Sequence, residues 1–254
     1  MKFSLITVCF NAGEQLAETL DSVLAQDHPD IQTILVDGAG DDPVTRQVIE
    51  RYRDRLSVVI SEPDKGVYDA MNKGLAMATG EVIGFVNAGD MLADGSVLAD
   101  LAAVFGRSDD DLVYGDALMV DPNDISRVGR VWKGGAYDRA RFRKGWMPPH
   151  LGTYFRRTLY ERYGGFDLRL RVAADYELLF RYCYKHRAKA QYFPRTIVRF
   201  RLGGASNRSM RHVLKANVEV YQAWRMNGER ISPFIILRKP LGKLVQVLRA
   251  RFQR

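Results

Sequence analysis

Four short loops hold most of the side chains suited to binding a charged ligand. They are Cys9-Phe10-Asn11, Asp37-Gly38-Ala39-Gly40-Asp41-Asp42, Ser61-Glu62-Pro63-Asp64-Lys65-Gly66 and Asn87-Ala88-Gly89-Asp90. Three of the four set a carboxylate close to a glycine. Glycine lets backbone approach a ligand closely, and carboxylates can hold ribose hydroxyls, a base N–H or a cation. Asp and Gly are also ordinary turn residues, so any one loop reads equally well as a surface turn. Their shared setting argues against that reading for all of them together.

Each loop follows a short apolar run rich in β-branched residues: Phe3–Val8, Ile31–Val36, Ser57–Ile60 and Glu81–Val86. Runs of this length and type read as buried strands. Helical patterns lie between them, with Leu16, Leu20, Val23 and Leu24 on one face, then Val44, Val48 and Tyr52, then Ala70, Met71, Leu75 and Ala78. Strand–helix alternation with short links predicts parallel strands joined by right-handed crossovers. In an open α/β sheet the ligand sits beyond the carboxyl ends of the strands, where these four loops fall.

Several chemistries are excluded by missing motifs. There is no G-x-G-x-x-G after the first strand, no G-x-x-x-x-G-K-[ST], no H-E-x-x-H, no C-x-x-C and no G-x-S-x-G. The 254 residues, 46% hydrophobic and 27% charged, suit a globular protein with a core of its own. Two distant cysteines, Cys9 and Cys183, form no disulfide framework or zinc cluster and suit a reducing compartment. The start turns polar too soon for a signal peptide, and no apolar run is long enough to span a membrane. A cytoplasmic chain is expected. The net charge of +8 is uneven. Residues 185–254 hold 17 Lys/Arg against 2 Asp/Glu, while residues 1–184 hold 21 against 28. Such a basic tail attracts nucleic acid or an acidic membrane surface.

The strings ITVCFNAGEQLAETLDSVLAQ, ILVDGAGDD, SEPDKGVYDAMNKGLAMATGEVIGFVNAGD and AADYELLFR resemble the family 2 glycosyltransferases, over about residues 2–206. The likeness is greatest to a bacterial polysaccharide-assembly branch, the colanic-acid-type transferases. It implies an α/β GT-A fold, with a Rossmann-like, mostly parallel sheet flanked by helices. By resemblance, residues 1–92 form the nucleotide-sugar half and 93–210 the acceptor half of one catalytic domain, with 211–254 a basic helical tail. It implies an inverting transfer of one sugar from a nucleotide diphosphate-sugar, UDP- or GDP-linked, to a hydroxyl, with Mg²⁺ or Mn²⁺. Val8, Phe10, Asn11, Asp37, Gly38, Asp64, Lys65 and Gly66 would then surround the nucleotide, with Asn87 and Ala88 beside it. The segment Asn87–Asp90 occupies the place of the family's Asp-x-Asp, with only Asp90 keeping a carboxylate as metal ligand. Asp175 matches the family's general base. From pattern alone it reads as the cap of a helix over Asp175–His186, with Leu178, Leu179, Tyr182 and Cys183 inward. His150, in Pro148-Pro149-His150 before a strand-like Leu151–Phe155, is a candidate metal or phosphate ligand or a packing residue.

Other segments have two readings. Lys73 and Asp69 form an i,i+4 ion pair, the reading favoured for Lys73, or orient the donor loop. Arg199, Arg201 and Gly203-Gly204-Ala205-Ser206 close over a diphosphate or form a solvent turn. Trp132, Tyr137, Phe142 and Trp146 interleave with Arg130, Lys133, Arg139, Arg141, Arg143 and Lys144, which suits sugar stacking, single-stranded nucleic acid or a plain surface. Leu241, Leu244, Val245, Leu248 and Phe252 recur at helical spacing among basic residues. That stripe reads as peripheral contact with the anionic inner membrane face, fitting a lipid-linked glycan acceptor, or as packing on the domain. No nucleic-acid partner is expected. The rival functions are a non-catalytic nucleotide-sugar-binding subunit and a nucleic-acid binder acting through the tail.

Overall fold

The computed structural model describes residues 1–122, 124–201 and 210–233. Its first half alternates strand and helix as the pattern predicts. The elements are β1 (Phe3–Cys9), α1 (Gln15–Leu24), β2 (Ile31–Asp37), α2 (Pro43–Tyr52), β3 (Val58–Ser61), α3 (Val67–Met77) and β4 (Val82–Phe85). There follow β5 (Met91–Leu92), α4 (Val97–Phe105), β6 (Leu112–Val120), β7 (Val128–Trp132), β8 (Thr153–Arg156), α5 (Arg157–Tyr163), α6 (Ala174–Leu179), β9 (Ala190–Arg201) and α7 (Met210–Met226).

One sheet runs through the molecule in the order β3-β2-β1-β4-β8-β6-β9-β5, with β7 paired to β6. β1 pairs parallel with β2 and β4, and β2 with β3. The order therefore reverses at β1, which makes the carboxyl ends of β1 and β4 the expected ligand edge. β8 enters antiparallel between β4 and β6, which joins the second half to the first.

Every residue of β1 is buried, as expected of a strand covered on both faces. Alternate side chains enter different layers. Leu5 packs with Val97, Leu98 and Leu101 of α4, and Cys9 with Leu16 and Leu20 of α1 and Val48 of α2. Ile6 and Val8 face the opposite layer, with Ala70 and Met71 of α3. α3 lies so close to the sheet that a Cβ on Gly74 would stand 2.4 Å from Ile6 Cγ2.

The segment expected as one helix over Asp175–His186 has two parts. After α6 it widens into a π-helical turn, Phe180–Lys185, closed by an i→i−5 bond from His186 N to Arg181 O of 3.0 Å. Leu178, Leu179, Tyr182 and Cys183 are fully buried, as anticipated. The strand expected over Leu151–Phe155 begins at Thr153, after a 3₁₀ turn over His150–Gly152.

Residues placed in the basic tail do not all stand apart. Trp224 of α7 is fully buried against Phe180 and Tyr184, with ring centroids 4.4 and 4.7 Å away. The amphipathic stripe from Leu241 onward lies outside the described residues. Among the described residues, no helix is long and apolar enough to cross a membrane. Deleting a buried Trp side chain costs about 3–5 kcal/mol. Trp224→Ala is therefore expected to lower the urea midpoint of the whole domain in one transition. A separate early transition for α7 would show that it is an appendage.

Candidate active site

The parallel strands bring three of the loops together over a buried carboxylate. Asp37, the last residue of β2, is 3% exposed. Ser61 Oγ at the end of β3 donates to its Oδ2 at 2.7 Å, and Cys9 Sγ at the end of β1 lies 3.7 Å from Oδ1. Burial, reinforced by the Asp37 and Asp64 charges, pushes the Cys9 thiol far above its ordinary range. That thiol is therefore a donor to Asp37 and not a nucleophile.

Asp64 reaches over the next residue, Gly38. A Cβ there would stand 2.5 Å from Asp64 Oδ2 and 3.0 Å from the Phe10 ring. Any side chain at 38 would displace that carboxylate. Asp64 Oδ1 accepts from Gly66 N at 2.7 Å, and Gly66 starts α3 at φ 117°, a conformation that favours glycine. Phe10 is 64% exposed and leaves an aromatic face beside this carboxylate pair. Asn11 and Ala39 both hold positive φ, 48° and 53°. The Asn11 amide fixes its loop to the next, donating to Asp41 and accepting from Asp42 N, each at 3.0 Å. Non-glycine strain of this kind concentrates at binding sites.

Lys73 departs from the favoured reading. It does not pair with Asp69. Its Nζ lies 2.8 Å from Glu62 Oε1 and donates to Pro63 O at 2.8 Å, while Asp69 accepts from Lys65 N at 2.9 Å. Both side chains hold the loop that carries Asp64, because α3 starts directly after it.

The fourth loop is folded around α1 and β9. Ala88 N donates to the carbonyl of Val8 at 3.0 Å. Thr19 Oγ1 accepts from Gly89 N at 2.9 Å and lies 3.5 Å from Asn87 O. Arg201 is not poised over a phosphate. Its guanidinium donates to Gly89 O at 2.7 Å and Pro122 O at 3.2 Å, and pairs with Glu18. Gly203–Ser206 lie outside the described residues. Asp90 is half-buried at the end of this loop, and desolvation pushes its carboxyl up to about 8 against the Arg201 charge and backbone N–H. Asn87 Oδ1 is buried with no hydrogen-bond partner. An oxygen-only pair such as Asn87 Oδ1 and the Asp90 carboxylate matches the donor preference of Mg²⁺ or Mn²⁺. Among the described residues, no cluster of three or more His, Cys, Asp or Glu forms a complete metal site.

Asp175 lies in the first turn of α6 and is partly exposed. Its Oδ1 accepts from Tyr176 N at 2.8 Å and meets Tyr68 OH at 3.1 Å. Tyr68 belongs to the first turn of α3, so the helix that follows the Asp64 loop also touches Asp175. His150 fits packing better than coordination. It is 6% exposed, stacked on Phe85 at 5.6 Å and edge-on to Phe166 at 5.4 Å, with Nε2 buried. Burial lowers its pKa, opposed by the Asp175 charge.

The cation–aromatic segment is only partly packed into the protein. Arg139 covers Tyr184 at 4.3 Å, Arg141 covers Trp146 at 4.1 Å, and Phe142 is fully buried. Arg143, Lys144, Arg130 and Lys133 remain exposed. Sequence reasoning missed Ser61 and Tyr68, although both stand inside the SEPDKGVYDAMNKG string.

The family model for "Glycosyl transferase family 2" matches residues 4–164. The chain belongs to that family. A Mycobacterium bovis protein named "PGL/p-HBAD biosynthesis glycosyltransferase" is 34% identical over 211 residues, covering 81% of this chain and 79% of the relative. Among solved structures, S. aureus TarS 1-349 in complex with UDP-GlcNAc is similar at TM-score 0.68 and 21% identity, over 89% of this chain and 65% of that one. This chain spans 40% of a longer TarS chain. The mannosyltransferase PcManGT of Pyrobaculum calidifontis, with GDP-Man and Mn²⁺, is similar at TM-score 0.63 and 20% identity, over 94% and 68%. At these identities the likeness shows the fold, and that fold is GT-A. This family 2 glycosyltransferase thus carries its Asp37–Asp64 pair and its Asp90 loop on the shared GT-A sheet edge.

The Asp90 carboxyl supplies a pH test. Its folded value of about 8 exceeds the ordinary carboxylate value near 4, so the metal-free folded state binds the proton more tightly. That contribution is complete below about pH 4 and is lost as pH rises to about 8. Melting curves of metal-free wild type and Asp90→Asn should diverge in favour of the variant across that window. A pH-independent difference would contradict the assignment.

Proposed function

We propose that this enzyme moves one sugar from a nucleoside diphosphate-sugar to an acceptor hydroxyl by a single inverting displacement. The observation that carries the reading is the Asp64 carboxylate seated over Gly38 with Asp37 buried below it, at the ends of the strands next to the point where the strand order reverses. Val8, Phe10, Asn11, Asp37, Gly38, Asp64, Lys65 and Gly66 form the nucleoside site. Asp37, already supplied with donors by Ser61 and Cys9, anchors this floor. Asp64 and the Phe10 ring face a base or ribose from above it. The donors of the related structures, UDP-GlcNAc and GDP-Man, support the same donor class for this chain.

Asn87, Ala88 and Asp90 line the diphosphate end. A divalent ion held by Asp90 and Asn87 Oδ1 would neutralise charge growing on the leaving diphosphate. Asp175 is the general base. Its Oδ1 is occupied by Tyr68 and Tyr176 N, which leaves Oδ2 to take the acceptor proton. As that O–H bond breaks, the acceptor oxygen bonds to the anomeric carbon. The bond from that carbon to the phosphate oxygen breaks on the opposite face. The exposed Arg143, Lys144, Arg130 and Lys133 suit an anionic acceptor such as a lipid diphosphate-linked glycan. The basic sequence after residue 185 supports work at an anionic membrane face.

Two measurements test this. Saturation with the right nucleotide at a hundred times its Kd stabilises the fold by about 2.7 kcal/mol, a rise of roughly 5–11 °C for a chain of this size. UDP or GDP should give that shift, larger with Mn²⁺, and Asp37→Ala should abolish it. No shift with any nucleoside diphosphate would remove the reading. Asp175→Asn should keep the nucleotide shift and lose about 10²–10⁴ in kcat. Near-normal turnover would sink the base assignment.

A further inference from the structure

Asp175 stands on a helix of only six residues whose N-cap, Ala173, offers no capping side chain. The backbone N–H groups entering such a helix need partners from elsewhere. Those of Val172 and Ala173 find one side chain, Glu219 of α7, whose Oε2 accepts both at 2.7 and 2.9 Å. Glu219 is 5% exposed, and Lys215 Nζ lies 4.0 Å from its other oxygen. Bonds from N–H to a carboxylate are about twice as strong as neutral ones, and burial raises the cost of losing them.

The same face of α7 continues past the base. Trp224 Nε1 donates to Tyr176 OH at 3.0 Å, and Asn227 Nδ2 donates to Glu177 Oε1 at 2.9 Å. Residues 172, 173, 176 and 177, on both sides of Asp175, are thus bonded to α7 and the residue that follows it. From the opposite side comes Tyr68, whose hydroxyl lies 3.0 Å from Val172 O and 3.1 Å from Asp175 Oδ1. Burial and the Asp175 charge hold the Tyr68 phenol well above its usual range, so it stays a donor.

We infer that Glu219 is a positioning residue for the general base, and that α7 is the template that fixes the Val172–Asp175 segment against α3. The inference rests on the role of Asp175 proposed above. Two observations favour it over plain capping. The segment it binds is the one that carries the base, and its counterpart Tyr68 touches the base itself. Glu219 is also one of only two acids after residue 185, in a stretch that is otherwise strongly basic.

A displacement of about 1 Å at a reacting group can cost 10²-fold in rate. The test uses the full chain and compares Glu219→Ala, Glu219→Gln, Tyr68→Phe and Asp175→Asn for kcat, donor KM and melting temperature. Glu219→Ala should lower kcat by about 10- to 100-fold with donor KM within about twofold, because Glu219 bonds the Val172–Ala173 backbone and not the Asp37 or Asp64 loop. Glu219→Gln, whose amide oxygen still accepts both N–H groups, should recover most of kcat. Tyr68→Phe keeps its ring stacked on Phe166 and should also lose kcat at constant KM. If Glu219→Ala fails to fold, the Gln and Phe variants carry the test alone. The inference is overturned if Asp175→Asn is inactive while these variants turn over normally. It is also overturned if kcat and KM move together, or if folded Glu219→Gln is as slow as Glu219→Ala. Turnover by Asp175→Asn would instead overturn the base assignment beneath it.

Discussion

β1 is paired in parallel with β2 on one side and β4 on the other, in continuous register from Phe3 to Cys9 with Ile31 to Asp37. Parallel pairing puts the ends of β1, β2 and β3 at one level. Cys9, Asp37 and Ser61 are therefore register partners as well as hydrogen-bonding neighbours. A carboxylate is costly to bury unless donors meet it. Asp37 is buried because the strands on either side each deliver one. Once it is fixed, the loops above it, with Asp64 over Gly38 and Asn11 bridging to Asp41 and Asp42, have little freedom left.

In the second half Phe142, Tyr176, Phe180, Tyr182, Tyr184 and Trp224 form a dense aromatic layer against α6. Rings in such a layer lose little entropy on burial and hold fixed crossing angles. α6 is too short to hold its own shape and borrows it from α7 and α3. Asp175 thus depends on two helices far apart in sequence, one starting after the Asp64 loop and the other at residue 210. The Asp90 loop has a similar dependence, since Arg201 ties Gly89, Pro122 and Glu18 together.

Much of the first half was legible because local pattern and tertiary need agree there. Buried parallel strands must be apolar runs, and helices covering them must show a 3.6-residue stripe. β1 to β4 accordingly fall within a residue of their expected bounds, and the three expected apolar stripes fall on α1, α2 and α3. The loop residues were legible for a different reason. A backbone that must pass under a ligand needs glycine at fixed places, and the long SEPDKGVYDAMNKG string preserves that spacing. Lys73 was misread because helix spacing offers an i,i+4 partner, while the chain folding back before α3 offers a nearer one in Glu62. His150 kept two readings, ligand or packing residue, because the aromatic rings that surround it come from β4, β8 and the segment before α6.

By itself the sequence determined the sheet type, the edge on which the chemistry sits and the family to which the chain belongs. Each of these follows from residues close together in the chain, where periodicity and spacing are direct records of geometry. Tertiary structure alone decided how the Asp175 segment is held, which arginines are engaged and where α7 packs. Glu219 meets Val172 across 47 residues, and Arg201 meets Glu18 across 183. No local pattern encodes such pairs, because their partners are chosen by the packing of whole elements rather than by the spacing of neighbours.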